Sequence, residues 1–369
     1  MAQEQDDFDA RTPEVTNFGA ACRWTGILAH DRAKWLTARR TLITASKVSA
    51  LLGLSPFQDE LSVYVSMICP VEEEAPEPGI DSPLTWGTAL EEAIARTAAK
   101  HYRWTLQMGG ALLVSRKHPH LGATLDAEIL PDGLTEWEDY EGKTTSAWRA
   151  KDWSEDGVPP DHVLCQVQSQ LLVTKAPRGQ VFCLIGGQKP CRIPVDPSPE
   201  FAALILETVE EFMVRIARLD PPPPSATSKA ALAQLYPKDS GEVIQLPAEA
   251  VEWTRELQEI ALRKKETQRR EDELRNLLRA AIGDATIGEL PEEVGGKGRW
   301  RWAMQETAGY YVKPSSGRVL LALKGNAPAG AKKPSKSKKS VAEKLLGPAG
   351  VSASELIGAA QPAAEGIAK

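Results

Sequence analysis

The strongest constraint on the fold is a change of hydrophobic period that runs through residues 84–187. Over 84–102 apolar residues recur at helical spacing, with Leu90, Ile94 and Ala98 near one stripe. Glu92 and Arg96 stand one turn apart on the wet side, placed to pair. The pattern then becomes strand-like over 111–115, 123–129 and 138–144. VPPDHVLCQVQSQLLVTK returns to helix, opened by Pro160 and Asp161, and QVFCLIGG reads as a strand. The order helix, three strands, helix, strand predicts a mixed α/β core.

The flanks divide the rest of the chain. Residues 1–20, beginning MAQEQDDFDA, read as a disordered acidic lead, too polar for a signal peptide. The main domain spans 21–220. Its first part, 24–67, reads as helical, with ITASKVSALLGLSPF forming a short helix entered at Thr44 or Ser46 and stopped at Gly53. A helix over 200–219 ends at the tetraproline Pro221, Pro222, Pro223 and Pro224, which opens a linker over 221–246. Residues 247–326 hold a long charged helix and a small β-hairpin that includes GRWRWAMQE. A heptad frame runs through Trp253, Leu257, Ile260, Leu274, Leu278 and Ala281, but Lys264, Thr267 and Glu271 interrupt it, so one arm or a helical hairpin element is expected rather than a sustained coiled coil. Residues 327–369 are low-complexity, with the basic run KKPSKSKK, and are expected to be disordered. The net charge of -6 provides no overall basic field for nucleic acid, although a local patch can act regardless of the sum. The five cysteines include no C-x-x-C pair, which fits reduced thiols in a cytoplasm, and no apolar run is long enough to span a membrane.

The residues able to carry chemistry fall inside the α/β core. In GATLDAEI, Asp126 stands mid-strand between Leu125 and Ala127, where an unpaired buried carboxylate is costly and a hard cation such as Mg2+ relieves the cost. In YEGKTTSAW, Glu141 and Lys143 share a strand face, and the Gly142 carbonyl offers a further oxygen. A lysine beside a metal-bound water can orient that water and stabilise charge on a phosphate, which suits phosphodiester hydrolysis. Glu91 points along the inward edge of its helix with Gly87, Ile94 and Ala98. Gln166 and Gln170 lie one turn apart on a face shared with Val163 and Val167, where an amide needs a partner. Taken singly, each has a plain structural reading: a surface ion pair, an edge aspartate, an exposed helix carboxylate, glutamines at a helix boundary. The ordered set of Glu, Asp, Glu-x-Lys and Gln is much harder to reach by accident.

In that order these segments resemble the YqaJ-type viral recombinase family, phage exonucleases similar to lambda exonuclease within the PD-(D/E)XK nuclease superfamily. RRTLITASKVSALLGLSPF resembles the family's first motif, WGTALEEAIA its Gly-x-x-x-Glu helix, HPHLGATLDAEI its Asp strand, YEGKTTSAW its E-x-K strand and VPPDHVLCQVQSQLLVT its Gln helix. The match covers about half the chain. The resemblance implies a restriction-endonuclease-like core over 21–220. It implies that Asp126, Glu141, the Gly142 carbonyl and Glu91 hold Mg2+, with Mn2+ able to substitute. Lys143 would position the attacking water, with Gln166 in support. Arg39 and Ser46 would bind the terminal 5′-phosphate, with Gln170 also on the substrate side. It further implies 5′ to 3′ resection of duplex DNA ends in a bacterial host's cytoplasm, leaving 3′ single strands for a phage annealing protein, and a ring-shaped homo-oligomer (a trimer by analogy). Three departures stand out: Leu125 where the family commonly has proline, Gly142 in place of an apolar residue, and His162 with Val163 where an aromatic is frequent. Two other readings stay open: a structure-specific DNA endonuclease built on the same core, or a non-catalytic DNA-binding or scaffold protein that uses the long helix and basic tail.

Overall fold

The computed structural model describes residues 16–29, 31–69, 79–153, 157–291 and 298–304. The chain divides into two compact units with the boundary between Pro237 and Lys238. The first unit opens with β1 (Cys22–Leu28), α1 (Arg32–Arg40), β2 (Ile43–Thr44), α2 (Ala45–Leu51) and α3 (Glu60–Ile68). It continues through α4 (Pro83–Tyr102), β3 (Thr105–Met108), β4 (Ala111–Ser115), β5 (Leu121–Thr124), β6 (Ala127–Leu130) and β7 (Glu138–Thr145). A 3-10 turn over Ala147–Trp153 leads to α5 (Asp161–Thr174), β8 (Gly179–Ile185), β9 (Lys189–Val195), α6 (Pro199–Arg218) and α7 (Lys229–Leu235). The strands form two sheets: β1-β4-β5-β2 and β3-β6-β7-β8-β9, the latter mixed because β7 runs parallel to β8. The expected α/β core of helix, strands, helix and strand is present as α4, β3–β7, α5 and β8.

The local reasons are visible in the caps. Ser82 and Pro83 open α4, and Ser198 and Pro199 open α6, each serine accepting a backbone N–H of the first turn. Arg96 pairs with Glu92 at 2.7 Å, as the helical spacing predicts. α4 lays Ile94, Ala95, Ala98 and Ala99 on one face of the five-stranded sheet against Ala127, Ile129, Tyr140 and Phe182. α5 covers the other face, packing Val163, Cys165, Val167 and Leu171 with Val181, Cys183 and Ile185. α2 in turn packs on α5.

Several sequence expectations need correction. The stretch expected to be helical from 24 opens instead with strand β1, where Cys22 and Trp24 alternate with Arg23 and Thr25. A register shift between Trp24 and Leu28, with Gly26 at φ 75°, bulges the strand. The single strand expected over 123–129 is two strands, β5 and β6, which belong to different sheets. β3 and β9 went unread. β9 is an edge strand, and so tolerates Pro190 and Pro194. The linker expected from 221 begins later: Ser225 and Ser228 both donate hydroxyls to Asp59 at the start of α3, and α7 packs on α3 with Ala231 buried. At the other end, the acidic lead is ordered from Thr16. Asn17 donates its backbone N–H to Glu128 at 2.8 Å, and Phe18 is buried. Residues 1–15 lie outside the described residues.

The second unit holds α8 (Ala250–Ile282) and a two-stranded hairpin of β10 (Ile287–Glu289) and β11 (Arg299–Arg301). Trp253, Leu257 and Ile260 are exposed on α8. The expected hairpin is present from 287 to 301, whereas 305–326 and the 327–369 tail lie outside the described residues. All five cysteines are free thiols, and among the described residues no helix is long and apolar enough to cross a membrane.

Candidate active site

The site forms where the two sheets part. β3 and β4 together face β6 and β5 as one long bent hairpin. At the bend Gly109 N–H donates to Asp126 O and Gly110 N–H to Leu125 O, both at 2.9 Å. Only glycine fits at 109, because a Cβ there would lie 2.1 Å from the Leu125 carbonyl oxygen. Asp126 therefore sits in the break between strands, not within one. β6 pairs with β7 only as far as Tyr140, so β7 leaves its Glu141–Thr145 end open on that side. The Gly142 N–H, lacking a ladder partner, donates to Asp126 Oδ2 at 2.7 Å. This approach does not itself require glycine at 142: its Cβ position lies 3.6 Å from Asp126 Oδ2 and 3.5 Å from the Tyr140 ring, ordinary contact distances.

Glu141 is buried and carries the densest network. Its Oε1 accepts from Lys143 Nζ and, at 2.6 Å, from Gln166 Nε2; its Oε2 accepts from Gln170 Nε2 at 2.6 Å. Lys143 Nζ also reaches Gln166 Oε1 at 3.4 Å. Glu91, half-buried on α4, lies beside Asp126. Burial, with Glu141 and Glu91 nearby, holds the Asp126 carboxyl well above the usual aspartate range. Burial also raises Glu91, reinforced by Glu141. Burial works against the Lys143 ammonium, but Glu141, Asp126 and Glu91 outweigh it and raise its pKa, so Lys143 is a cation.

The sequence-selected residues Asp126, Glu141, Gly142, Lys143, Glu91 and Gln166 thus meet in one place. Gln170 does not stand on the substrate side: it has no exposed surface and sits behind Glu141. Among the described residues no three histidine, cysteine, aspartate or glutamate side chains are arranged to hold a metal ion. Both Glu141 oxygens are turned to amide and ammonium donors. The donor set nevertheless fits a hard divalent cation in type and charge. Glu91 and Asp126 are two carboxylates in contact, a pair that needs a shared proton or cation, and Lys143 is the cation that interacts with them.

A second polar group lies around the start of α2. Arg39 Nη2 donates to Thr44 Oγ1 at 2.8 Å and to Ser46 Oγ at 2.7 Å, and its guanidinium stacks 3.9 Å over the Trp35 ring. Lys47, which the sequence reading passed over, donates to the carbonyls of Arg39 at 2.9 Å and Leu42 at 3.2 Å. Burial, then Arg39 and Arg40, push the Lys47 pKa down to about 7, and burial alone lowers Arg39 to about 10. Among the described residues no carboxylate pairs with Arg39 or Lys47. An uncompensated cation cluster of this kind suits an anion.

Comparison with known proteins shows what part of the chain is similar to. Residues 34–177 match the YqaJ-like viral recombinase domain, and the span contains Arg39, Ser46, Glu91, Asp126, Glu141, Lys143, Gln166 and Gln170. Over that segment the chain is similar to the YqaJ-type recombinase family. The uncharacterized protein YqaJ of Bacillus subtilis (strain 168) is 25% identical over 186 residues, 49% of this chain and 55% of that protein. The chain therefore spans about half the length of the curated relative it matches. Among solved structures, the alkaline exonuclease LHK-Exo of Laribacter hongkongensis is 16% identical with a TM-score of 0.41, over 51% of this chain and 94% of that one. Its complex with dAMP gives a TM-score of 0.42 at the same identity and coverage.

Proposed function

We propose that the chain is a Mg2+-dependent DNA exonuclease that resects duplex ends 5′ to 3′ and leaves 3′ single strands for a phage annealing protein in the host cytoplasm. The observation that carries this reading is the meeting of Asp126, Glu141 and Lys143, with Glu91 and Gln166, at the open end of β7 in a viral-recombinase domain. Asp126, Glu91 and Glu141 would hold the cation, with the Gly142 carbonyl the further donor the sequence suggests. When bound, a divalent ion supplies Lewis acidity and an activated water. Asp126 is fixed for this by the Gly142 N–H, and Glu141 by its two amide partners. Lys143 acts as an ammonium, donating to the attacking water or a phosphate oxygen and stabilising the developing negative charge. Gln166 bridges Glu141 and Lys143 and keeps the two in register. Arg39, Ser46 and Lys47 would take the terminal 5′-phosphate, which gives the enzyme its preference for ends.

The test compares linear duplex with a covalently closed circle of the same sequence, each with Mg2+. Loss of the linear DNA alone, abolished in Asp126→Asn, supports an exonuclease. Cutting of the circle would assign the core to an endonuclease. Binding without cleavage of either would leave a scaffold role.

A further inference from the structure

The Gln170 amide lies deeper than anything the DNA can reach, yet it touches the centre of the site. It comes from α5 one turn after Gln166, and the two glutamines grip the two oxygens of Glu141 separately, each at 2.6 Å. They are not equivalent. Gln166 is half-buried and also accepts from Lys143 at 3.4 Å. Gln170 is fully buried, and its Nε2 has only a long second acceptor, the Thr124 carbonyl at 3.4 Å. Its Oε1 is buried without a hydrogen-bond partner among the described residues. An unsatisfied buried amide oxygen costs about 1–3 kcal/mol, and methionine of similar length would fill the same space without that cost. For the fold, the glutamine sets one hydrogen bond to the buried Glu141 carboxylate against one unpaired oxygen. What it supplies is a single N–H aimed at Glu141 Oε2, which fixes the rotation of that carboxylate and hence the direction of its free lone pairs.

We infer that Gln170 is the positioning residue for Glu141: it acts on the reaction only through that carboxylate and makes no contact with DNA. The inference rests on the reading of Glu141 as a metal ligand. Partners that orient a ligating carboxylate set its affinity for the ion, and their loss typically weakens binding about 10–100-fold.

The experiment uses the full chain and Gln170→Met. Three quantities are read: the thermal midpoint of the metal-free protein, the affinity for Mn2+ alone by electron paramagnetic resonance, and kcat and KM on 5′-phosphorylated linear duplex. The expected result is Mn2+ binding weakened about 10–100-fold and a lower kcat with unchanged KM for DNA, with the midpoint of the metal-free protein little changed, because the lost hydrogen bond to Glu141 and the removed unpaired oxygen oppose each other. A raised KM with unchanged Mn2+ affinity would make Gln170 a DNA contact and overturn the inference. A lowered midpoint with unchanged Mn2+ affinity would make it a structural residue and overturn it equally. Gln170→Asn, which keeps the amide but withdraws it by about 1.5 Å, is the second variant should the methionine protein not fold, and is expected to weaken Mn2+ binding in the same way. A wild-type protein that binds Mn2+ but degrades no DNA would refute the exonuclease reading alone, since the Mn2+ and thermal readings still decide the role of Gln170.

Discussion

Replacing Gly109 with alanine perturbs the bend that presents Asp126. The new Cβ would stand 2.1 Å from the Leu125 carbonyl oxygen, 2.8 Å from Leu125 C and 3.1 Å from Asp126 C. All three are backbone atoms, so no side chain can turn aside. Side-chain Cβ atoms essentially never approach closer than 3.0 Å, so the two strands must separate by at least the difference, 0.9 Å. The two hydrogen bonds at the crossing, Gly109 to Asp126 and Gly110 to Leu125, take up that displacement. Overpacking of this kind costs about 1–3 kcal/mol, and each kcal/mol lowers the melting midpoint of a unit this size by about 2–4 °C. A shift of about 1 Å in a ligating group costs about 100-fold in rate. The assay is a thermal melt paired with single-turnover degradation of linear duplex. Gly110→Ala is the control: its φ of 97° brings backbone strain, but its Cβ meets nothing within 4 Å. It should lose stability and keep most of its activity. Gly109→Ala with wild-type rate would show that the bend does not set the position of Asp126, and would refute the reasoning.

Three further outcomes follow from the same geometry. Arg39→Ala should raise KM for 5′-phosphorylated ends about tenfold or more and leave 5′-hydroxyl ends unaffected, since hydrogen bonds to a charged group contribute about 1.5–3 kcal/mol; equal effects on both ends in steady-state kinetics would move the phosphate elsewhere. Because the Lys47 pKa is pushed down to about 7, sulfate should stabilise the protein more at pH 6 than at pH 8.5, and Lys47→Met should flatten that difference in thermal melts. Burial opposes ionisation of Asp59, but hydrogen bonds from Ser225, Ser228 and Ser62 outweigh it and hold its carboxyl below the usual range. A depressed carboxyl contributes stability that is present above about pH 4 and lost as pH falls, so Asp59→Asn should melt lower at neutral pH and show a shallower acid limb; parallel pH curves for the two proteins would contradict this.

The parts legible in the sequence were those with long, self-contained signals. α4, α5, α6 and α8 have helical periodicity over many residues, and α4 and α6 also carry their own serine caps. The break between β5 and β6 was not legible, because GATLDAEI is an unbroken strand-like run and the bend is imposed by Gly109 and Gly110 on the partner strand. The site residues were readable by type: Asp126, Glu91, Glu141, Lys143 and Gln166 are the polar groups that an apolar helix face or strand cannot leave unpartnered. Depth was not readable. Helical spacing puts Gln170 on the same face as Gln166 but does not say that one is half-buried and the other fully enclosed. Lys47 resembles an ordinary surface lysine until the Arg39 and Leu42 carbonyls close around its ammonium.

The central claim is that Lys143 and Glu141 are paired to do chemistry, not as a surface contact. The most direct measurement follows a linear duplex with one 5′-phosphorylated, 3′-labelled strand, using wild type and Lys143→Ala in Mg2+ and in EDTA. Progressive loss of the phosphorylated strand only in wild type with Mg2+ is the predicted result. Intact DNA in every lane, with duplex binding retained, would contradict it and return the pair to an ordinary ion pair on β7.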